Sequence, residues 1–293
     1  MSRFPTSPRL LANKLGIRLR TLTFLAHKLK ESSGTFYTEH RIPKGNSGKV
    51  RIVYSVSPTL KRVQHRLREL LEEVMPSTGM SYAYEKGRSV GSTSLRLHSA
   101  PLLISIDIKS HFTAVTMWQV SKTLEHGGAT PEVAFLIARL ACITLGKRSF
   151  LPQGSVMSPL VSNRVCEHLL DGRLAVEFPQ AKITRYSDNI FLAFPNPEVS
   201  GKEVIAALRA IIAEATGWKC HKARIMPYYV QQRGLGLVLN QKANMPAEKY
   251  LALKATLYNL AHKATEEQVS RARATYGAED DSPGELLGRL RGK

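Results

Sequence analysis

Acidic side chains are scarce in this sequence: 23 Asp and Glu stand against 42 Lys and Arg, a formal net charge of +19 over 293 residues. The basic groups run through the chain in clusters such as "LKRVQHRLREL" and "GKRSF" rather than forming one tail. A surface this positive fits a polyanionic partner, with nucleic acid the leading candidate. No helix pairs a basic face with a Trp- and Phe-rich one, which disfavours an anionic membrane surface. Cysteine is nearly absent as well. Cys142, Cys166 and Cys220 show no CxxC or Cys/His spacing, which excludes a zinc module or a disulfide framework and leaves three reduced, structural thiols. No apolar run approaches the length of a membrane span, and "MSRFPTSPRLL" has no signal-peptide core. The expectation is a soluble, cytoplasmic protein. Internal repeats and long low-complexity segments are absent too.

What is present is enough apolar sequence, 43%, to build a sizeable core. Ser7-Pro8 marks a helix start, and the leucine spacing up to Leu29 predicts two short helices broken near Gly16. "FYTEHRIPKGNSGKVRIVYSV" predicts a hairpin around a Gly-Asn-Ser-Gly turn, carrying Arg41, Lys44, Lys49 and Arg51. Ser57-Pro58 opens an amphipathic helix. The loop "YEKGRSV" leads to the apolar strand "APLLISIDI", followed by helical sequence through Leu145. "LPQGSVMSPLVSN" is a loop entering a helix, with Ser158 as its cap and Pro159 in its first turn. "ITRYSDNIFLAF" then predicts a hairpin with Asp188-Asn189 at its tip. A helix from Ser200, the strand "RGLGLVLN" and helical sequence from about Lys242, interrupted by the acidic loop "GAEDDSPG", complete the chain. Helices and hairpins alternate without regular βαβ crossovers, so the fold class is α+β.

Two carboxylates carry the chemistry. Asp107 ends an apolar strand, where a carboxylate is costly unless it is paired, hydrogen-bonded or bound to a metal; the plain alternative is a cap for the next helix. If Asp188 lies on a neighbouring hairpin, the pair suits Mg²⁺, which takes oxygen ligands and keeps positions open for water and phosphate. Two such ions can activate a 3′-hydroxyl and stabilise departing pyrophosphate.

"SIDIKSHF", "LPQGSVMSPLVSN", "RYSDNIFLAF", the lysine of "CHKARI" and "RGLGLVLN" occur in the order of the palm motifs of reverse transcriptases. "VRIVYSVSPTLKRVQHRL" and "YAYEKGRSV" resemble that family's fingers motifs. The resemblance covers roughly residues 36 to 240, and several motifs in order are far more specific than one alone. The chain most resembles bacterial retron-type reverse transcriptases and their defence-associated relatives. It departs from the retron pattern at "SLRLH", where only His98 of the Asn-Ala-x-x-His element remains. It also departs at Gly234-Leu235-Gly236, which stands where Val-Thr-Gly is usual.

The resemblance implies a right-hand polymerase. Residues 1–35 would be an N-terminal helical segment, 36–100 fingers, 101–240 palm with the remaining fingers helices inserted, and 241–293 a short helical thumb. It implies Asp107 and Asp188 as ligands of two Mg²⁺ ions, with Mn²⁺ as a substitute and the Ile108 carbonyl as a further ligand. Phe112 matches the gate against the sugar 2′-hydroxyl, which implies deoxynucleotides; it could equally be a core Phe. Gln153 and Gly154 would line the nascent base pair, although an ordinary helix-entry turn fits them too. Lys222 would stand near the triphosphate, and Arg51 and Arg88 would clamp it. His98 and His111 are read as structural. The family usually has Asp at the place of Asn189, and Asn keeps the shape while removing a charge. That departure leaves two readings open, an RNA-directed DNA polymerase or an RNA-binding scaffold with impaired chemistry. The implied partners are an RNA template, a DNA or RNA primer, dNTPs, a structured non-coding RNA and a protein partner or second copy, with a bacterial antiphage role as the family-level expectation. In relatives "GRLRGK" introduces further thumb helices, so the resemblance leaves three accounts open, an unusually short thumb, a trimmed molecule or a thumb completed by a partner, and a short thumb implies weak processivity.

Overall fold

The computed structural model describes residues 3–31, 33–43, 48–262, 267 and 270. Lys44, most of the Gly-Asn-Ser-Gly turn, the acidic loop and the C-terminal "GRLRGK" lie outside the described residues.

Helices α1 (Pro8–Lys14) and α2 (Leu19–Glu31) are separated at Gly16, whose φ of +59° places it in the left-handed region open to glycine. Strands β1 (Tyr37–Pro43) and β2 (Val50–Val56) form the expected antiparallel hairpin, and α3 (Pro58–Val74) follows with proline in its first turn. The segment before "APLLISIDI" holds a helix that the sequence pattern did not announce, α4 (Val90–Leu97). Ser89 and Ser92 close a reciprocal capping box at its start.

After β3 (Leu102–Ile108) come α5 (His111–Ala114), α6 (Met117–His126) and α7 (Pro131–Ala141). The expected helical run to Leu145 is corrected here. It ends at Ala141, and β4 (Ile143–Leu145) and β5 (Arg148–Phe150) form a hairpin turned by Gly146 at φ +57°. Helix α8 (Ser158–Cys166) continues through a π turn (Glu167–Asp171) into α9 (Gly172–Glu177). Ser158 is not its cap: it is the first helical residue, and its hydroxyl donates to the Pro152 carbonyl at 2.7 Å. Strands β6 (Lys182–Tyr186) and β7 (Asn189–Phe194), helix α10 (Gly201–Thr216), β8 (Cys220–Pro227), the short pair β9 (Arg233–Gly234) and β10 (Leu237–Val238), and α11 (Ala247–His262) complete the described chain. Strand β8 was not foreseen, and "RGLGLVLN" folds as a tight hairpin rather than one strand.

The central sheet is antiparallel in the order β6-β7-β3-β8. Alternation sorts its two faces. Leu102, Ile104, Ile106 and Ile108 of β3, with Ile190, Leu192 and Phe194 of β7, enter the main core, where Val161 and Val165 of α8 and Leu208 and Ile212 of α10 also lie. On the other face Leu103, Phe191, Ala193 and Met226 form a smaller cluster with Leu97 and Leu239. That cluster covers one end of the face. At the other end stand Ser105, Asp107 and Asn189, each half-buried.

Candidate active site

Antiparallel register brings the two carboxylates together. Asp107 on β3 pairs with Asn189, the first residue of β7, and Asp188 precedes it in the turn. The hairpin tip is Ser187-Asp188, because Tyr186 already pairs with Asn189 across the turn. The expectation of Asp188-Asn189 as the tip is thereby corrected, and Asn189 becomes a strand residue facing Asp107. Ser187 takes a positive φ of 57°, and the Ile108 amide donates to the Asp188 carbonyl at 2.8 Å, fastening the turn to the end of β3.

Burial raises the Asp107 carboxyl above its ordinary range, and the nearby Asp188 charge raises it further; His221 and Lys222 pull it back. Those two side chains come from a bulge. Ile106 pairs with Ala223 and Ile108 with Cys220, so His221 and Lys222 of β8 together stand opposite the single Asp107. Lys222 is exposed there. The Asn189 amide donates to Asp188 Oδ1 at 3.2 Å, where an aspartate would add a third negative charge.

Beside the hairpin lies a cleft of about 750 Å³ lined by Arg51, Tyr84, Phe112, Gln153 and Gly154 among others. Four sequence-nominated residues from three separate segments thus meet in one cavity. Gly154 has φ +109°, and a Cβ there would run into the Tyr54 carbonyl, with Val53 Cγ1 2.9 Å away. The Gln153 carbonyl accepts from the Tyr54 amide at 2.7 Å, so this loop is sewn to β2. The close approach that demands glycine is therefore to the neighbouring strand. Buried Gln64 of α3 holds the same joint, donating to Tyr37 Oη and to the Leu140 carbonyl while accepting from Ser155.

Phe112 is in contact with two rings, His111 at 5.5 Å and Tyr84 at 6.4 Å between centroids. His111 is buried with neither ring nitrogen hydrogen-bonded, and burial pushes its pKa down to about 3. It also stands edge-on to Trp218 at 5.7 Å. His98 bonds Ser99 Oγ at 2.9 Å, away from the carboxylates. Arg88 does not line the cleft. Its guanidinium donates to the carbonyls of Gly79 and Ser81 and lies 4.5 Å over the Tyr82 ring, which makes it a brace for the loop before α4.

A buried ion-pair network underpins the site. Arg185 of β6, fully buried, donates through Nε and Nη2 to the two oxygens of Asp171 at 3.0 Å each, and through Nη1 to Asn163 Oδ1 at 2.9 Å. Asn163 in turn donates to the Ala83 carbonyl and to Glu85, which also accepts from Arg164. The π turn after α8 sets Asp171 in place for this forked contact. Sequence reading missed Tyr84, His221 and this network. The one available signal was "ITRYSD", in which a charged Arg185 stands inside a hydrophobic strand; its partners lie 14 and 22 residues away in sequence.

Residues 42–227 match the family model described as reverse transcriptase (RNA-dependent DNA polymerase). The chain belongs to that family. Its central antiparallel sheet with flanking helices is that of a reverse transcriptase, with Asp107 on β3 and Asp188 in the turn before β7. Among curated proteins, this reverse transcriptase is similar to the retron Mx162 reverse transcriptase of Myxococcus xanthus, at 27% identity over 86% of this chain and 58% of that protein. It is similar to the retron Ec86 reverse transcriptase of Escherichia coli at 24% identity, over 74% of this chain and 67% of that protein. The chain thus spans under three fifths of the Mx162 protein's length. The resemblance read from the motifs, a bacterial retron-type reverse transcriptase, is supported. Reverse transcriptases generally use divalent metal ions. No helix among the described residues is long and apolar enough to cross a membrane.

Proposed function

We propose that this reverse transcriptase is an RNA-directed DNA polymerase of retron type that adds dNTPs to a DNA or RNA primer on an RNA template. The observation that carries the reading is the convergence of Asp107 and Asp188 at one end of the central sheet, together with a cleft lined by Phe112, Gln153, Gly154 and Arg51. Two half-exposed carboxylates whose charges oppose one another are a fitting donor set for hard cations. Among the described residues no group of three or more His, Cys, Asp or Glu side chains gathers, so further oxygens would come from the Ile108 carbonyl, water and substrate phosphate. Two Mg²⁺ ions, with Mn²⁺ as substitute, would supply activation of the primer hydroxyl and neutralisation of phosphate charge.

The side chains have separable tasks. Phe112 excludes a 2′-hydroxyl and so selects deoxynucleotides. Arg51 presents a guanidinium to triphosphate oxygens. Lys222, exposed beside Asp107, neutralises or protonates departing pyrophosphate. Gln153 and Gly154 bound the nascent base pair. The basic surface binds template and primer, and a structured non-coding RNA is the natural cognate template for a retron-type enzyme in the bacterial cytoplasm, with antiphage defence as its setting.

Asn189 favours a second reading, a scaffold that binds RNA without chemistry, because it lowers the negative charge at the carboxylate pair. Primer extension on an RNA template by this sequence and by Asp188→Ala separates the two. The polymerase reading expects extension that Asp188→Ala abolishes; the scaffold reading expects RNA binding with no extension in either.

A further inference from the structure

Tyr84 occupies a conformation that the sequence alone gave no reason to expect. Its φ is +62°, a region that non-glycine residues rarely adopt, and the residue is 45% exposed in the cleft wall. Such a conformation persists only when its surroundings impose it. Both neighbours are held. The Ala83 carbonyl accepts from Asn163 Nδ2 at 2.8 Å, and Glu85 Oε1 accepts from Asn163 at 3.0 Å and from Arg164 at 2.9 Å. The buried network therefore holds the Ala83 backbone on one side of Tyr84 and the Glu85 side chain on the other.

It reaches two places at once. Its hydroxyl lies 3.2 Å from Ser187 Oγ, in the turn that carries Asp188. Its ring stands 6.4 Å from the Phe112 ring at 43°, within the range of aromatic pairing. Phe112 also lies 5.5 Å from the ring of His111, itself packed edge-on to Trp218. Each ring contact restricts the rotamers open to Phe112. Removing Tyr84 opens the cleft side of Phe112 and frees its χ1 to swing toward the space where a nucleotide sugar would sit.

We infer that Tyr84 is a positioning residue for sugar discrimination: its ring fixes Phe112 in the cleft wall, and its hydroxyl ties that wall to the turn bearing Asp188. The inference rests on the polymerase reading above and assigns a second residue to the selection of deoxynucleotides. The two contacts separate by substitution. Tyr84→Phe keeps the ring and loses the hydroxyl, Ser187→Ala removes the hydroxyl's partner, and Tyr84→Leu loses both contacts.

The test measures single-nucleotide incorporation of dTTP and UTP on a primed poly(rA) template, as kcat/KM for each, in the chain as given and in Asn189→Asp. Calorimetric binding of the same two nucleotides to the protein on that primed template accompanies it, and thermal melting checks that each variant is folded. Tyr84→Leu is expected to lower the dTTP-over-UTP preference at least tenfold. Tyr84→Phe and Ser187→Ala are expected to keep that preference, to lower kcat for dTTP with KM unchanged, and to do so to the same extent singly and together. A folded Tyr84→Leu whose preference stays within twofold of the parent, in incorporation or in binding, overturns the inference and leaves the polymerase reading standing. If neither parent incorporates or binds either nucleotide, the polymerase reading and the inference fall together.

Discussion

At the scale of single residues, Asn189 decides how the carboxylate pair behaves. It faces Asp107 across the sheet and donates to Asp188, so replacing it with Asp exchanges a donor for a charge. Asn189→Asp is expected to lower the Mg²⁺ concentration for half-maximal extension by roughly tenfold, a change of about 1.4 kcal/mol. A titration showing no change would make position 189 irrelevant to metal binding. His111 gives a second prediction. Its folded pKa, about 3, lies below the ordinary value of 6.5, so its contribution is fully present above pH 6.5 and is lost as pH falls toward 3. Between pH 7 and pH 5 this costs about 2 kcal/mol of stability. His111→Leu is expected to remove that part of the acid sensitivity in urea unfolding at the two pH values, and an unchanged pH dependence would show that His111 is solvated. Asp107, Phe112, Gln153 and Gly154 were legible in sequence because ordered motifs carried them. Tyr84 and His221 were not, because one owes its place to a strained backbone and the other to a bulge, and neither has a pattern in one sequence.

At the scale of elements, the joints between β2, the loop before α8 and the β6-β7 hairpin hold the site. Gly154 closes the first joint, where a Cβ would strike Tyr54. Gly154→Ala is expected to cost on the order of 1–3 kcal/mol and to raise the dNTP KM, seen as a melting temperature lower by several degrees together with slower extension at low dNTP. Unaltered melting would mean that the loop yields. The Arg185–Asp171 pair closes the second. Asp171→Ala strands a buried guanidinium and is expected to destabilise by about 3–5 kcal/mol. A double variant, Arg185→Met with Asp171→Leu, is expected to recover much of that loss, and a denaturant midpoint no better than the single variant's would contradict the account. Helix and hairpin positions up to β3, α4 apart, followed from periodicity, caps and glycines. The β4-β5 hairpin hid behind a helical run, because Ile143 and Thr144 follow α7 without a proline or glycine until Gly146. Strand β8 hid because its exposed residues, among them His221, Lys222 and Arg224, break the apolar alternation expected of a strand.

At the scale of the molecule, a charge of +19 spread along the chain predicts that RNA binding is electrostatic in large part. Raising salt from 50 to 200 mM is expected to weaken affinity for a primed RNA by about a thousandfold or more, if some six or more phosphates are contacted. A flat salt profile would point to recognition by stacking or shape. The antiparallel sheet, the paired carboxylates and the adjoining cleft assemble from segments far apart in sequence, which motif order anticipated and pairwise geometry now specifies. The most direct measurement is dNTP incorporation on a primed RNA template with Mg²⁺ and with Mn²⁺, for this sequence, Asn189→Asp and Asp188→Ala. The account predicts template-dependent extension by the first two and none by Asp188→Ala; silence in all three, with RNA binding intact, would contradict it.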